Sequence, residues 1–248
     1  MKRFLMQLSY DGTFFSGWQT QPQVRTVQQV LEPTLSKIAK QTTPIVGSGR
    51  TDARVHALNQ YAHFDFPISM QPKQIVAALN SLLPEDILIK QIWEVPADFH
   101  ARYDASKRTY LYIITKKRTP FNRFYQSYFP KKNLNISIID QAAQLFLGKH
   151  DFTAFSKFNP DVKTQICEIY NFNCYENTDT ITLQIEANRF LHNMVRRVVG
   201  TLVNISHKEQ EISIITELLA ARSPQSNLIS TAPPQGLYLQ NVEYPNLS

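Results

Sequence analysis

Hydrophobic and polar residues alternate over residues 3–10, and this period of two predicts a half-buried β-strand. A helix is predicted next, because Thr26 begins a capping box and the apolar residues after it recur with helical spacing. Further strands are expected over three ranges: 43–47, 55–66 and 87–95. Pro72 marks the first turn of a second helix. The resulting order, β-α-β-β-α-β, is that of a split ferredoxin-like unit.

The same order recurs in the second half of the chain. Alternation over 108–115 predicts a strand, a helix follows near 136–146, and Gly148 is expected to end it. The remaining predicted elements are two strands, two helices and a closing strand, over residues 165–175, 180–187, 189–203, 210–221 and 237–242. The sequence therefore predicts an α+β fold with two ferredoxin-like (RRM-like) halves, residues 1–105 and 106–248. We expect the halves to join into one mixed, largely antiparallel sheet with a central cleft.

The composition excludes several classes of protein. Hydrophobic residues make up 43% of the 248 residues and include 28 aromatic side chains, too many for a disordered chain. No apolar run approaches the ~18 residues of a membrane span, and the N-terminal residues lack the apolar core of a signal peptide. The two cysteines, Cys167 and Cys174, are expected on one strand and not in a disulfide. A cytoplasmic protein without a membrane anchor is therefore predicted.

The formal net charge of +6 is concentrated in one segment. Residues 99–132, which we call the basic strip, contain nine Lys or Arg and one acidic residue, Asp104. The strip also contains nine aromatic residues, and interleaved cations and rings suit the phosphates and bases of a nucleic acid. A solvated edge strand and loop are also often rich in lysine, and charge alone slightly favours that interpretation.

Candidate chemistry is concentrated in residues 47–57, which contain two of the seven glycines. Glycine permits tight turns and the close approach of a ligand. Asp52 lies near Arg50 and Arg54, where a carboxylate stays ionised at neutral pH and can act as a nucleophile. An aspartate that caps a turn through its side chain is the more common outcome for such spacing. The segment lacks the Gly-Lys-Ser/Thr end of a phosphate-binding P-loop.

Motifs in register along the chain carry a resemblance to one enzyme family. Asp52 lies in the run Gly49-Arg50-Thr51-Asp52-Ala53, which is followed by Val55-His56-Ala57. The other matching runs are Gly17-Trp18-Gln19, Thr26-Val27-Gln28, Asp98-Phe99-His100-Ala101-Arg102-Tyr103, Arg108-Thr109-Tyr110-Leu111-Tyr112, His150-Asp151-Phe152-Thr153-Ala154-Phe155, Phe190-Leu191-His192-Asn193-Met194-Val195-Arg196 and Ala232-Pro233-Pro234-Gln235-Gly236-Leu237-Tyr238-Leu239. Through these runs the chain resembles the TruA-type tRNA pseudouridine synthases from about residue 3 to residue 245.

The resemblance implies an enzyme that isomerises uridine to pseudouridine in the anticodon stem-loop of tRNA, at positions 38, 39 and 40. It also implies a homodimer, so tRNA and a second copy of the chain are the expected partners. The family reaction uses no metal and no redox cofactor. The sequence agrees, because it contains no cluster of Cys and His with metal-ligand spacing.

The resemblance also assigns roles by position. Asp52 matches the nucleophile, which attacks either C1′ of the ribose or C6 of the base. Tyr110 matches the tyrosine that stacks on the target base, although an alternating strand can also hold it as a core residue. Tyr112 shares its face and is the better candidate for the core. Arg196 matches the arginine that pairs with the aspartate across the cleft, and Arg50 matches the one that helps to displace the target base.

One residue departs from the family signature, because Arg54 stands where the family has glycine. We expect a negative φ at Arg54, so that the arginine adds a cation for an RNA phosphate without backbone strain. Arg102, Lys107 and Arg108 of the basic strip are further candidate RNA-binding residues. Arg197 is expected on the solvated side of its helix.

Two other functions stay open at this point. A catalytically silent RNA-binding protein can use the same scaffold, since paired ferredoxin-like sheets resemble RRM surfaces. A binding module does not need Asp52, Tyr110 and Arg196 together, so their joint presence favours the enzyme. A metabolic enzyme that acts on small nucleotides would not need the basic strip with its aromatic residues, and no phosphate-loop motif supports it.

Overall fold

The computed structural model describes residues 1–67, 69–130, 132, 134–157, 162–223 and 226–245. The chain is a mixed α+β protein whose strand pairs are mostly antiparallel. It contains two compact units, of which the N-terminal unit comprises Met1–Ser106 with the residues from Tyr238 onward. The C-terminal unit comprises Lys107–Leu237. The residues from Tyr238 thus group with the N-terminal unit, whereas the sequence pattern grouped them with the second half.

The N-terminal unit has the expected order of elements. These are β1 (Lys2–Tyr10), α1 (Val27–Ala39), β2 (Val46–Gly47), β3 (His56–Phe66), α2 (Pro72–Leu82) and β4 (Ile87–Val95). Strand β1 lies between β4 and β3 and is antiparallel to both. Strand β2 pairs antiparallel with β3, and the last strand of the chain, β9 (Leu237–Glu243), pairs parallel with the start of β3. Buried rings of β1 and β3 build the core, among them Phe4 and Phe64 with 5.8 Å between ring centres.

The C-terminal unit contains β5 (Lys107–Thr115), α3 (Ile136–Gln144), β6 (Gly148–Asp151), β7 (Ile166–Glu176), β8 (Thr180–Ala187), α4 (Met194–Lys208) and α5 (Ile214–Ala221). Its strands follow the order β5-β8-β7-β6, and neighbouring strands are antiparallel. Helix α3 packs against α4 and β7. The core beside α3 is rich in buried rings, namely Phe146, Phe152 and Phe155.

Three features of the C-terminal unit differ from the sequence prediction. Strand β6 is absent from that prediction, because its four residues show no apolar alternation. The strand forms through backbone pairing with β7. Gly148 begins this strand with φ +88°, whereas α3 ends earlier, at Gln144. Helix α4 begins at Met194 rather than near residue 189, because Asn193 has a left-handed backbone with φ +63°.

Two further observations concern the helices and the cysteines. Within the described ranges, no helix combines the length and the hydrophobicity needed to cross a bilayer. Cys167 and Cys174 both lie on β7 as free thiols. Burial raises the pKa of Cys167 to about 11 and that of Cys174 to about 12, so both thiols stay protonated at neutral pH.

Candidate active site

Asp52 lies in the segment between β2 and β3, residues 48–55, which we call the Asp52 loop. At one end of the loop the Ser48 N–H donates to the Tyr61 carbonyl of β3 over 2.7 Å. At the other end the Val55 N–H donates to the Asp52 carbonyl over 3.2 Å, which closes a tight turn. Asp52, the first residue of this turn, is half-buried.

Thr51, the residue before Asp52, is held on two sides. Its hydroxyl lies 2.8 Å from the Tyr10 hydroxyl of β1, and its carbonyl accepts the Trp18 N–H over 3.1 Å. Thr51, Tyr10 and Trp18 are all buried. Burial raises the pKa of Tyr10 to about 12, so its phenol stays protonated at neutral pH and keeps the hydrogen bond. The core of the N-terminal unit therefore fixes the backbone next to Asp52.

Gly17 permits the close approach of these two segments. It has φ +94°, and a Cβ at this position would lie 2.7 Å from the Thr51 carbonyl oxygen. The carbonyls of Gly17 and Trp18 accept the N–H groups of Val27 and Gln28 in the first turn of α1, over 3.1 and 3.0 Å. The start of α1 and the Asp52 loop are thus connected through two residues. The sequence shows the run that begins at Gly17 but gives no sign of this contact.

A second glycine contact lies where the Asp52 loop enters β3. A Cβ on Gly12 would lie 2.1 Å from the Val55 carbonyl oxygen. The Gly12 N–H donates to Nδ1 of the buried His56 over 3.1 Å. The His56 ring also stacks on Tyr238, with 4.7 Å between ring centres. His56 therefore packs beneath the end of the loop and helps to fix it.

Arg54 is exposed, and its φ is +64°, so the expectation of a negative φ is wrong. The turn that closes between Asp52 and Val55 puts Arg54 at its third position, where a type II turn needs a positive φ. The Arg54 N–H also donates to the Phe15 carbonyl over 3.0 Å, which holds the residue in this conformation. For a residue with a Cβ, the left-handed conformation costs roughly 1–2 kcal/mol.

Two other candidate cations of the N-terminal unit are also exposed. The Arg50 Nε donates to Gln19 Oε1 over 3.2 Å, so its side chain is directed along the segment that follows Trp18. Arg102 lies beside the exposed Tyr103, with its guanidinium carbon 5.8 Å from the ring centre. Both side chains present a cation at the surface of this unit.

The candidate cations Lys107 and Arg108 begin β5 and are half-buried. Lys107 Nζ lies 3.4 Å from a carboxylate oxygen of Glu186 on β8. Arg108 Nη1 donates to the Asn188 carbonyl over 2.8 Å. Both side chains are therefore oriented by the end of β8.

Tyr110 and Tyr112 share one face of β5 but have different surroundings. Tyr110 is half-buried and meets the Phe190 ring edge-on, with 5.1 Å between ring centres. Tyr112 is fully buried, and its hydroxyl lies 2.7 Å from Ser127 Oγ and 2.8 Å from the Pro233 carbonyl oxygen. Burial also raises the pKa of Tyr112. The interpretation of Tyr112 as a core residue is confirmed.

Arg196 lies in the first turn of α4 and is half-buried. Its Nε donates to the Ala232 carbonyl over 2.8 Å, and its Nη1 donates to Asn193 Oδ1 over 3.2 Å. One turn later, a Cβ on Gly200 would lie 2.0 Å from the Ser230 carbonyl oxygen, so α4 packs very closely against this segment. The guanidinium of Arg196 is thus oriented by its own unit.

Arg197 is half-buried, so the expectation that it lies on the solvated side is wrong. Its Nη1 donates to the Ser156 carbonyl over 2.7 Å and approaches the Ala154 carbonyl at 3.4 Å. Burial lowers the pKa of this guanidinium. The carbonyl groups of the segment after β6 cover this side of α4, and the helix periodicity alone gives no sign of them.

The candidate residues form two sets. Arg50, Asp52 and Arg54 share one loop of the N-terminal unit, where they offer a carboxylate between two cations. Tyr110 and Arg196 lie on β5 and α4 of the C-terminal unit, where they offer an aromatic ring and a guanidinium. Among the described residues, no group of three or more His, Cys, Asp or Glu side chains is arranged to hold a metal ion.

The chain is similar to known proteins along most of its length. A family model described as tRNA pseudouridine synthase matches residues 7–104 and 142–245. The tRNA pseudouridine synthase A of an Exiguobacterium species is 40% identical, with 98% of each chain covered. That of Limosilactobacillus reuteri is 42% identical over 98% of this chain and 97% of the relative. A solved H/ACA RNP bound to a substrate RNA containing 2′-deoxyuridine matches with a TM-score of 0.36 and 8% identity, over 81% of this chain and 52% of that one.

Proposed function

Since the chain belongs to the tRNA pseudouridine synthase family and is an isomerase of tRNA uridine, we propose that Asp52 is its nucleophile and that it modifies positions 38, 39 and 40 of the anticodon stem-loop. The observation that carries the proposal is the Asp52 loop, where a half-buried aspartate lies between backbone positions that are fixed at Thr51 and Arg54. A nucleophile needs such a fixed position, because a misplacement of about 1 Å can lower a rate about 100-fold.

The proposed reaction moves one glycosidic bond. In one route the Asp52 carboxylate bonds to C1′ of the ribose while the C1′–N1 bond breaks and its electron pair passes to N1. In the other route the carboxylate adds to C6 of the base, the pair of the C5–C6 double bond passes towards the O4 carbonyl, and the C1′–N1 bond then breaks with its pair on N1; loss of the C5 proton later restores the double bond and expels the carboxylate. In either route the uracil turns, C1′ bonds to C5, and the carboxylate is released. C5 loses its proton and N1 gains one. Substrate and product are isomers, so the electrons balance and we propose that no cofactor takes part.

Two residues of the C-terminal unit take their roles from the family resemblance. Tyr110 stacks on the target base, a contact that contributes about 1–3 kcal/mol per base. Its edge-on contact with Phe190 supports this role because it holds the orientation of the ring. Arg196 supplies the guanidinium that the family pairs with its aspartate. Its bonds to Ala232 and Asn193 support this role because they orient the group before substrate arrives.

Five cations are assigned to the RNA. Arg50 helps to displace the target base from the stem, a step that needs a few kcal/mol and benefits from a group that fills the vacated space. Arg54, Arg102, Lys107 and Arg108 contact phosphates. The left-handed backbone supports this role for Arg54, since strained residues persist mainly where function requires their side chain.

We further propose that both units are ferredoxin-like, that the protein is a homodimer, and that it acts in the cytoplasm. The strand order β4-β1-β3-β2 in the N-terminal unit supports the first point. The free thiols of Cys167 and Cys174 support a reducing compartment. The dimer is implied by the family resemblance, and sedimentation equilibrium measures it directly.

Tritium release from tRNA labelled at C5 of uridine tests the reaction, because the C5 proton is lost in either route. We expect release by the wild type and only background release by Asp52→Asn, since the neutral amide is a poor nucleophile. The exposed Asp98 provides the matched control, and Asp98→Asn is expected to release tritium at the wild-type rate.

The same assay separates the other functions. Binding of tRNA by the wild type without tritium release would identify a catalytically silent RNA-binding protein. Release from labelled uridine monophosphate but not from tRNA would identify an enzyme of small nucleotides. Equal release by the wild type and Asp52→Asn would contradict the assignment of Asp52.

A further inference from the structure

A pocket of about 240 Å³ lies in the C-terminal unit, between Gln235 and the loop that follows β5. We call this loop, residues 116–130, the basic loop. The pocket is lined mainly by two guanidinium groups, three amides and a phenol: Arg118, Arg123, Asn122, Gln126, Gln235 and Tyr128. None of the described residues that line it carries a carboxylate. Its volume is below the roughly 300–1,000 Å³ of typical small-molecule sites, so it suits a small anionic group.

Ser127, which lies between the lining residues Gln126 and Tyr128, holds the basic loop against β5. Ser127 is fully buried, its N–H donates to the Ile113 carbonyl over 2.9 Å, and its carbonyl accepts the Thr115 N–H over 2.8 Å. The buried Tyr112 hydroxyl lies 2.7 Å from Ser127 Oγ. A Cβ on Gly236 would lie 2.6 Å from the same oxygen, so glycine lets this segment approach and brings its neighbour Gln235 to the pocket. Ser127 thus fastens the basic loop to β5, and the Asn122 Nδ2 group adds a second attachment at Thr115 Oγ1 over 3.2 Å.

Asn122 fixes the rest of the loop. Its Oδ1 accepts the Thr119 N–H over 2.9 Å, and its Nδ2 donates to the Lys117 carbonyl over 3.0 Å. Its own carbonyl accepts the N–H groups of Tyr125 and Gln126, each over 3.0 Å. The shape of the pocket is therefore set before any ligand binds, which lowers the entropy lost on binding.

The two arginines of the pocket are available for an anion. Lys116, at the start of the loop, is already paired with Glu176 at 2.8 Å. Arg118 is exposed, and within the described ranges its guanidinium has no hydrogen bond or ion pair. Arg123 donates through Nη1 to the Pro120 carbonyl, and its guanidinium carbon lies 4.1 Å from the centre of the Phe124 ring. These contacts orient Arg123 and leave other N–H groups for a ligand.

We propose that this pocket binds a phosphodiester group of the tRNA backbone, so that Arg118 and Arg123 form an RNA contact in addition to the cations named above. The guanidinium fork matches the oxygens of a phosphate. Phe121, which is 90% exposed, and the exposed Tyr128 provide rings for neighbouring bases. The net charge of +8 over residues 99–132 favours a polyanion over a single small nucleotide. The proposal rests on tRNA as the substrate.

The double variant Arg118→Gln/Arg123→Gln tests the pocket. We expect the Kd for tRNA to rise about tenfold at physiological salt and the slope of log Kd against log salt to fall by about one to two. In the tritium assay KM is expected to rise while kcat stays within about twofold, because a phosphate contact outside the reacting atoms positions the substrate without joining the chemistry. The double variant Arg118→Lys/Arg123→Lys is expected to keep most of the salt slope.

The matched control removes two cations elsewhere. Lys37 of α1 and Lys73 of α2 are exposed, and Lys37→Gln/Lys73→Gln is expected to bind tRNA as the wild type does. Equal losses of tRNA affinity in Arg118→Gln/Arg123→Gln and in Lys37→Gln/Lys73→Gln would overturn the proposal, because they would show a general effect of charge. A fall in kcat with unchanged KM would also overturn it. If the double variant fails to fold in circular dichroism, Arg118→Gln alone decides, since this guanidinium has no partner among the described residues.

The test also separates this proposal from the proposed function. A wild type that isomerises tRNA uridine, together with an Arg118→Gln/Arg123→Gln variant of unchanged Kd and salt slope, would overturn the pocket and leave the function intact. A wild type that binds tRNA but releases no tritium would contradict the function, and the salt slopes would still decide about the pocket.

Discussion

The Asp52 loop and the basic loop are both irregular segments that carry arginines, but they are held in different ways. The Asp52 loop is fixed by other parts of its unit, through the Tyr10 hydroxyl, the Trp18 N–H and the absent side chain of Gly17. The basic loop is fixed mainly by the side chain of its own Asn122 and by hydrogen bonds that join Ser127 and Asn122 to the adjoining strand β5. In the Asp52 loop, these contacts fix the backbone next to a single carboxylate. In the basic loop, they fix a surface that carries positive charge.

This difference follows from what each segment has to do. A nucleophile reacts only when its oxygen is aligned with the carbon it attacks, so small displacements lower the rate steeply. A phosphate contact is largely electrostatic and falls off gradually with distance. We therefore expect changes at the anchors of the Asp52 loop to lower kcat, and changes at the anchors of the basic loop to weaken binding.

Among changes at the anchors of the two loops, the largest expected effect comes from Gly17→Ala. The added Cβ would lie 2.7 Å from the Thr51 carbonyl oxygen, and the residue would keep a φ of +94°, so the backbone before Asp52 must shift. We expect kcat in the tritium assay to fall about 100-fold and the free energy of unfolding to fall by about 1–3 kcal/mol. Affinity for tRNA is expected to stay near the wild-type value.

Gly49→Ala is the matched control for this variant. Gly49 lies in the same loop, but a Cβ there would meet no atom within 4 Å. We expect its kcat to stay within about threefold of the wild type, since the contact between Gly17 and Thr51 is unchanged. If Gly17→Ala and Gly49→Ala lowered kcat equally, the anchoring role of Gly17 would be refuted.

These anchors show which parts of the site the sequence predicts. The start of α1 follows from the sequence, because the Thr26 hydroxyl and the Gln29 N–H are close along the chain and form their hydrogen bond locally. The sign of φ at Arg54 does not, because it depends on a turn closed at Val55 and on the distant Phe15 carbonyl. Local patterns record periodicity and caps, whereas this conformation depends on a tertiary contact.

The C-terminal unit shows the same limit in another form. Strand β6 and the burial of Arg197 both depend on backbone carbonyl or N–H groups as partners, and these are the same for every residue type. The alternation that predicts β8 is a property of side chains, so it is visible in the sequence. Motifs located Asp52, Tyr110 and Arg196, but no pattern revealed the support that Ser127 gives to the basic loop.

A smaller effect is expected for Tyr112→Phe, which loosens the basic loop. The change removes the hydroxyl 2.7 Å from Ser127 Oγ and leaves the buried Ser127 Oγ and the part-buried Pro233 carbonyl oxygen with one partner fewer each. We expect the free energy of unfolding from urea denaturation to fall by about 1–2 kcal/mol. The Kd for tRNA is expected to rise severalfold, with kcat almost unchanged.

Tyr175→Phe controls for the loss of a phenol hydroxyl in the same unit, because Tyr175 on β7 is exposed. It is expected to change neither stability nor binding. A lower kcat with unchanged Kd in Tyr112→Phe would contradict the division of roles between the two loops, because an anchor of the basic loop would then act on the chemistry.

The smallest effect is expected at Arg54. This exposed arginine lies inside the Asp52 loop but, like the arginines of the basic loop, is proposed to bind a phosphate. Glycine accepts a φ of +64° without a Cβ clash, so Arg54→Gly relieves strain of roughly 1–2 kcal/mol. The greater entropy of glycine in the unfolded chain offsets about half of this. We expect the free energy of unfolding to rise by about 0.5–1 kcal/mol and the salt slope for tRNA binding to fall by about one.

Ala53→Gly, in the same turn, is expected to change the free energy of unfolding in the opposite direction. Ala53 has no positive φ, so glycine there relieves no strain and is expected to lower the free energy of unfolding by about 0.5–1 kcal/mol. Urea denaturation measures the free energy of unfolding of both variants, Arg54→Gly and Ala53→Gly. If Arg54→Gly gained stability and kept the wild-type salt slope, the arginine would have no phosphate to contact. A variant that gains stability while losing one counterion would instead show that the strained backbone persists because the RNA needs a cation at this position.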